Sequence, residues 1–221
     1  MTTFEEFYSD LVEAASIFGR PNPMLVAVSK KQPIEKMLFA YEKGQLHFGE
    51  NYAQELAEKA PKMPTQCYWH FIGPIQTNKI KILAKHADWI HSLSSIKHAL
   101  LLETELKRLS RKIDALIQIN IDNEDSKSGI TNEKDFMELA EKIMLCSAIN
   151  LRGFMILPKL QKSEREFKLL EAKIKKYQEL LKNMGCKICE ISFGTSSDYQ
   201  EALRAGSTII RVGEKIFGKR N

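Results

Sequence analysis

The sequence predicts an α/β protein built as a single (β/α)8 barrel of the TIM type, with an additional helix ahead of the first strand. Two observations carry this reading. Short runs of β-branched and aromatic residues alternate with longer stretches whose apolar residues recur three and four positions apart, and there are eight such runs. No Pro-, Gly- or Ser-rich linker and no shift of composition divides the 221 residues, so residues 1–221 are expected to form one domain. Strict alternation favours a parallel sheet with helices outside, and eight units favour its closed form over an open doubly wound sheet. Barrels of this kind typically run to about 250 residues. The loops here are therefore expected to be short, with no room for a C-terminal β-domain.

The elements follow in order. An amphipathic stretch at 4–18 supplies the leading helix. The strands are read as MLVAVS (24–29), QLHF (45–48), YWHFI (68–72), WIHS (89–92), ALIQINI (115–121), LRGFMI (151–156), CEISF (189–193) and TIIRV (208–212). Helical spacing places the intervening helices at 33–43, 52–60, 77–87, 95–111, 132–146 and 197–205. The helix after the sixth strand has the clearest boundaries. Ser163 with Glu166 forms a capping box that can satisfy two orphan amides, and Phe167, Leu170, Ile174, Tyr177 and Leu181 mark one face. Gly185 ends it.

Composition narrows the function classes. With 43% hydrophobic and 28% charged residues the chain is neither disordered nor fibrous. Its longest apolar runs, such as 24–28, fall far short of the roughly 18 to 20 residues that span a bilayer, so no membrane segment is expected. The opening MTTFEEFYSD is acidic and helical where a secretory signal needs a basic start and an apolar middle, which points to the cytoplasm. Four unevenly spaced cysteines, Cys67, Cys146, Cys186 and Cys189, read as reduced thiols. The net charge of +5 is interleaved with acids in stretches such as EREFKLLEAKIKK. That is a solvated face, and without a recognition motif nucleic acid is not an expected partner. A small anionic ligand is compatible with it.

Barrel active faces are built from loops at the C-terminal ends of the strands, so those positions are compared as one set. They include Lys30 and Lys31 after the first strand and Glu50 and Asn51 after the second. The seventh contributes Ser192, Gly194, Thr195, Ser196 and Ser197, and the eighth Arg211 and Gly213. Phosphate sites commonly form after strands seven and eight with a helix N-terminus. Gly194 and Gly213 permit close backbone approach, Thr195 and Ser196 add hydroxyls, and a helix from Ser197 would aim its positive end at an anion. The plainer reading is that the serines cap a helix and the glycines make turns.

Lys30 must either reach solvent or have its ammonium desolvated, which would free the amine to attack an aldehyde. Alternation puts it on the side of Val26 and Val28, with Lys31 opposite; periodicity does not say which side is the lumen. The C-x-x-C at Cys186–Cys189 is read as structural, since it leads into a strand and lacks a second ligand pair. The five histidines show no metal spacing, and His47, His70 and His91 are read as core or rim residues.

The segments AVSKKQP, HFGENYAQE, WHFIGPIQTNK, NIDNEDSKSG, LRGFMILP, SFGTSSDYQEAL and GSTIIRVGEKIFG span nearly the whole chain in order. Through them it resembles the YggS/PROSC family of pyridoxal-phosphate-binding proteins, which share the N-terminal barrel of alanine racemase. The resemblance implies pyridoxal 5'-phosphate as the cofactor, joined to Lys30 as a Schiff base. Its phosphate would lie in the loops holding Ser192, Gly194, Thr195, Ser196 and Gly213. Asn51 would line the pocket and Arg211 would lie near the pyridine nitrogen, where a cation disfavours ring protonation and weakens the ring as an electron sink. Lys31 stands where relatives often have Thr, and Thr195 where they often have Met.

The function so implied is storage, delivery or buffering of the cofactor in vitamin B6 and amino-acid homeostasis, with little or no turnover and with apo forms of cofactor-dependent enzymes as partners. The alternative is an amino-acid racemase, which needs a second acid/base on the opposite face of the substrate. In alanine racemases that group is a tyrosine from an added β-domain of the neighbouring subunit. The sequence ends at Asn221, directly after the barrel, so only a resident group such as Tyr52 or His70 could replace it. A barrel binding a sugar phosphate would leave Lys30 unexplained. Without the extra domain's dimer interface a monomer is expected.

Overall fold

The computed structural model describes residues 4–124, 127–159, 163–186 and 189–218. Asp125 and Ser126 of the NIDNEDSKSG stretch, and Lys187 and Ile188 inside the C-x-x-C, lie outside them.

Helix α1 (Phe4–Ile17) precedes eight strand–helix units. These are β1 (Met24–Val28) and α2 (Ile34–Glu42), β2 (His47–Glu50) and α3 (Ala53–Lys59), β3 (Tyr68–Phe71) and α4 (Ile80–His86), and β4 (Trp89–Leu93) and α5 (Ile96–Arg108). The second half comprises β5 (Ile113–Ile119) and α6 (Glu133–Met144), β6 (Ile149–Ile156) and α7 (Glu164–Asn183), β7 (Glu190–Ser192) and α8 (Tyr199–Arg204), and β8 (Ile209–Val212) and α9 (Glu214–Phe217). The strands form a closed parallel barrel in sequence order, and β8 closes on β1 with Leu25 opposite Ile210.

Two apolar layers explain why the barrel closes. Leu25, Ala27, Phe48, Trp69, Phe71, Ile90, Phe154, Ile191 and Ile210 face outward into the main core under the helices, while Val26, Trp89, Leu116, Met155 and Ile209 form a separate cluster. That second cluster lies in the lumen, as the alternation of side chains along each strand requires. Val26 in the lumen settles the side that periodicity left open. Val28 and Lys30 share it.

Several boundaries differ from the sequence expectation, each for a physical reason. Strand β2 lies two residues later than expected, at 47–50, where Gly49 pairs with Val28 and His70; a Cβ there would lie 2.9 Å from Val26 Cγ1, so a glycine suits the strand at that position. The helices expected at 52–60 and 77–87 have single turns of 3-10 helix, at Ala60–Lys62 and Thr77–Lys79. Helix α8 starts at Tyr199 rather than 197, and α9 has no counterpart in the sequence reading.

Helix α7 matches its signals. Ser163 accepts from the Glu166 amide at 3.3 Å, and Glu166 accepts from the Ser163 amide at 2.9 Å. Its five apolar residues are buried, and Gly185 follows the helix at φ +93°. Near the C-x-x-C, burial, with Cys186 and Glu190 adding to it, pushes the Cys189 thiol up to about 12. It is a thiol at neutral pH, which disfavours redox chemistry. Among the described residues no group of three or more His, Cys, Asp or Glu is arranged to hold a metal, and no helix is long and apolar enough to cross a membrane.

Candidate functional site

A cavity of about 460 Å³ opens at the C-terminal ends of the strands, within the range of small-ligand sites. Its lining includes Lys30, Asn51, Thr195, Ser196, Arg211 and Gly213, six of the eight residues expected from sequence. Ser192 and Gly194 do not line it. Val28, Ile72, Met155 and Leu157 add apolar walls, and Ser197 and Glu214 complete the rim.

Lys30 owes its position to a buried network on the outer side of the barrel. The Ser29 hydroxyl donates to Glu50 Oε1 at 2.7 Å. Lys59 Nζ donates to the Ser29 carbonyl at 2.8 Å, to Glu50 Oε1 at 2.9 Å and to Glu55 Oε2 at 2.6 Å. Glu55 Oε2 also accepts the Lys31 amide at 2.7 Å, where the backbone turns into the left-handed region at φ +59°. The peptide groups on both sides of Lys30 are thereby fastened to one set of charges. Burial raises the pKa of Glu50 against the opposing pull of Lys59 and Ser29. Burial acts the same way on Glu55, but Lys59 and the Lys31 amide outweigh it and leave that carboxyl low.

The electrostatic centre of the cavity is Arg211. It is only 5% exposed, and its Nη1 donates to Ser192 Oγ at 2.5 Å and its Nη2 to the Ile156 carbonyl at 3.4 Å. No carboxylate among the described residues forms an ion pair with it. Burial lowers its pKa to about 10, with Asp198 opposing, so it keeps its charge at neutral pH. A buried cation without a counter-ion is costly unless a ligand supplies the negative charge. Asn51 Oδ1 is likewise buried, with no hydrogen-bond partner among the described residues. At Gly213 a Cβ would lie 2.9 Å from the Val28 carbonyl, so the chain after β8 passes close to β1 only because no side chain is there.

The loop after β7 departs from expectation. Thr195 turns both its amide and its hydroxyl to Asp198 Oδ1, each at 2.6 Å. The N-cap of α8 is Asp198, so the expected helix begins two residues late, at Tyr199, and is only six residues long. Ser196 makes no hydrogen bond with another described residue and stays available. Gly194 sits at φ +99°, where a Cβ would come within 2.6 Å of Ala202 Cβ and 2.8 Å of Ile210 Cδ1. That glycine serves the packing of the turn rather than the approach of a ligand.

Ser192 is fully buried behind Arg211 and ends a polar row through the lumen. His47 Nδ1 is 2.9 Å from His70 Nε2, His70 Nδ1 is 2.9 Å from His91 Nε2, and His91 Nδ1 is 2.9 Å from Ser192 Oγ. The sequence reading placed these histidines in the core and missed their connection. The available signal was their separation by 23 and 21 positions, one strand–helix unit each. The resident acid/base candidates of the racemase alternative also find their places: His70 is sealed in the lumen, and Tyr52 is half exposed outside the cavity lining.

The family described as alanine racemase, N-terminal domain, matches residues 7–221. The chain is 41% identical over 203 residues to the pyridoxal phosphate homeostasis protein of Vibrio alginolyticus, covering 89% of this chain and 86% of that one. It is 36% identical over 207 residues to the protein of the same name from Schizosaccharomyces pombe, with coverage of 90% and 85%. Among solved structures it is similar to Synechococcus elongatus PipY with PLP bound, at a TM-score of 0.80 and 31% identity, covering 94% of this chain and 100% of that one. Clostridium difficile alanine racemase gives a TM-score of 0.77 at 14% identity, covering 99% of this chain and 61% of that one, a likeness of fold alone.

Proposed function

Since the chain belongs to the pyridoxal phosphate homeostasis protein family and has the alanine racemase N-terminal fold, we propose that its barrel mouth binds pyridoxal 5'-phosphate covalently through Lys30. The protein would hold and release the cofactor for intracellular homeostasis, with little or no turnover of its own. The observation that carries this reading is the convergence on one cavity of Lys30 and the buried Arg211, which forms no ion pair among the described residues.

The residues present fit such a group. When bound, it supplies an aldehyde that a lysine amine captures as a Schiff base, together with an aromatic ring and a dianionic phosphate. Val28, Ile72, Met155 and Leu157 would cover the ring faces. Ser196, Gly213 and the hydroxyl of Ser197 would receive the phosphate, and Arg211 would stand beside the ring nitrogen. Asn51 Oδ1, which accepts from no described residue, would take a ligand donor. The Lys59 network would keep Lys30 directed into the mouth.

Low turnover is supported by what the lining lacks. Moving a proton between opposite faces of a substrate carbon needs an acid/base on each side. Among the described residues the lining has no tyrosine, histidine or cysteine, and its one carboxylate is the exposed Glu214.

The test is an absorbance spectrum of protein mixed with pyridoxal 5'-phosphate, then borohydride reduction and peptide mapping. Label on Lys30, lost in Lys30→Ala, is the expected result. Label on Lys31 or elsewhere overturns the assignment. Chiral chromatography of amino acids incubated with the loaded protein tests the turnover claim, and racemisation at an ordinary enzymatic rate overturns it.

A further inference from the structure

Beneath the pocket lies a set of buried polar side chains that the proposed function does not use. We propose that His47, His70 and His91 are positioning residues, a hydrogen-bonded row of fixed direction that turns the hydroxyl proton of Ser192 away from Arg211 and so pins the guanidinium at the cavity wall. The row itself stands on this structure alone; only its effect on the cofactor rests on the function proposed above.

The direction follows from donor and acceptor chemistry. Among the described residues Ser192 Oγ has two partners, Arg211 Nη1 at 2.5 Å and His91 Nδ1 at 2.9 Å. A guanidinium only donates, so Ser192 accepts from it. Ser192 is fully buried, and its own proton finds an acceptor only if His91 Nδ1 carries a lone pair. The proton of His91 is then on Nε2 and is donated to His70 Nδ1. The proton of His70 is on Nε2 in turn and is donated to His47 Nδ1. One fact, that Arg211 cannot accept, sets the tautomer of three imidazoles.

The row climbs the barrel, from His47 at the start of β2 to Ser192 at the end of β7. Its rings are held by stacking. Tyr68 lies on His47 at 4.9 Å between centroids, and Trp89 on His70 at 5.5 Å. The charged groups around it are cations: Arg211 from β8, and Arg152 from β6, 5.8 Å over the Trp89 ring. None of the three histidines bonds to a carboxylate among the described residues. A second proton on His70 or His91 would set N–H against N–H. Burial holds both well below the usual imidazole range, with His91 and His47 adding to the effect at His70 and Arg211 at His91.

The first experiment uses protein without cofactor. In protein carrying 15N-histidine, long-range 1H–15N correlation identifies the protonated nitrogen of each ring. Neutral Nε2–H rings at His70 and His91 at pH 7 are expected. An Nδ1–H ring at His91, or a doubly protonated ring, overturns the row.

The second experiment follows the absorbance of pyridoxal 5'-phosphate-loaded protein against pH. His91→Leu, which loosens the cation that disfavours protonation of the bound group, is expected to raise its midpoint by about one pH unit, while His91→Gln, which can still accept from Ser192, restores it. His47→Phe, at the half-exposed end, gives a smaller shift in the same direction if the larger change unfolds the chain. A merely structural role would lower thermal stability and leave all midpoints where they are, which overturns the positioning claim. If the protein develops no cofactor absorbance, the function proposed above fails, and the tautomer measurement decides the row by itself.

Discussion

Lys59 Nζ lies 2.8 Å from the carbonyl oxygen of Ser29, the residue that precedes the candidate cofactor lysine. The same ammonium is 2.9 Å from Glu50, whose side chain is fully buried. The position of Lys30 therefore depends on a charge on another element, α3.

Lys59→Met strips Glu50 and Ser29 of that partner. Removing one member of a buried pair costs about 3–5 kcal/mol, to be read from denaturant unfolding. The double variant Glu50→Gln with Lys59→Met should recover most of the loss. Without Lys59 the folded-state pKa of Glu50 rises further above its usual value, so the deficit of Lys59→Met is full above that pKa and shrinks as pH falls through it. An equal deficit at all pH values would show that lost packing, not charge, is responsible.

The buried histidines give the fold an acid limit. His70 and His91 have folded-state pKa values well below the unfolded value near 6.5. Above about pH 6.5 both states bind the same protons and these residues do not affect stability. As pH falls below it, the unfolded chain takes up protons that the folded chain refuses. Stability is then lost at up to about 1.4 kcal/mol per pH unit for each histidine, until the folded-state values are reached. Unfolding free energies between pH 5 and 7.5 check this, and His70→Asn should flatten the slope by about one histidine's share.

Gly194→Ala combines a left-handed backbone with overlap against Ala202 and Ile210. Strain and overpacking each cost about 1–3 kcal/mol, so thermal unfolding should show a loss of at least about 2 kcal/mol. Gly185→Ala, with open space around its Cβ, should lose less. Equal losses would assign the effect at 194 to backbone conformation alone.

At the start of α7, Ser163→Ala should lower stability by about 1 kcal/mol. Ser163→Asp, which keeps the capping oxygen, should lose much less. The comparison by denaturant unfolding separates the cap from general loop effects.

The barrel was legible because its signals are local. Eight strand–helix alternations, the Ser163–Glu166 cap and the stop at Gly185 each lie within one stretch of chain. The two-residue shift of β2 was not, since Gly49 and Glu50 are poor strand formers and the Val26 side chain that crowds position 49 comes from another strand. At the candidate site, Lys30, Asn51, Thr195, Ser196, Arg211 and Gly213 were legible from their places at strand ends. Gly194 was read as a ligand-approach glycine because its crowding by Ala202 and Ile210 comes from distant chain.

What the sequence determined by itself was the order of elements, the closed barrel and the face that holds the chemistry, because periodicity, capping and turn residues act between near neighbours. What only the tertiary structure decided was which side of β1 meets the lumen, the fastening of Lys30 by Lys59, and the row from His47 to Arg211. Those depend on strand register and on burial, which bring residues tens of positions apart within hydrogen-bond reach and remove the water that would otherwise satisfy them.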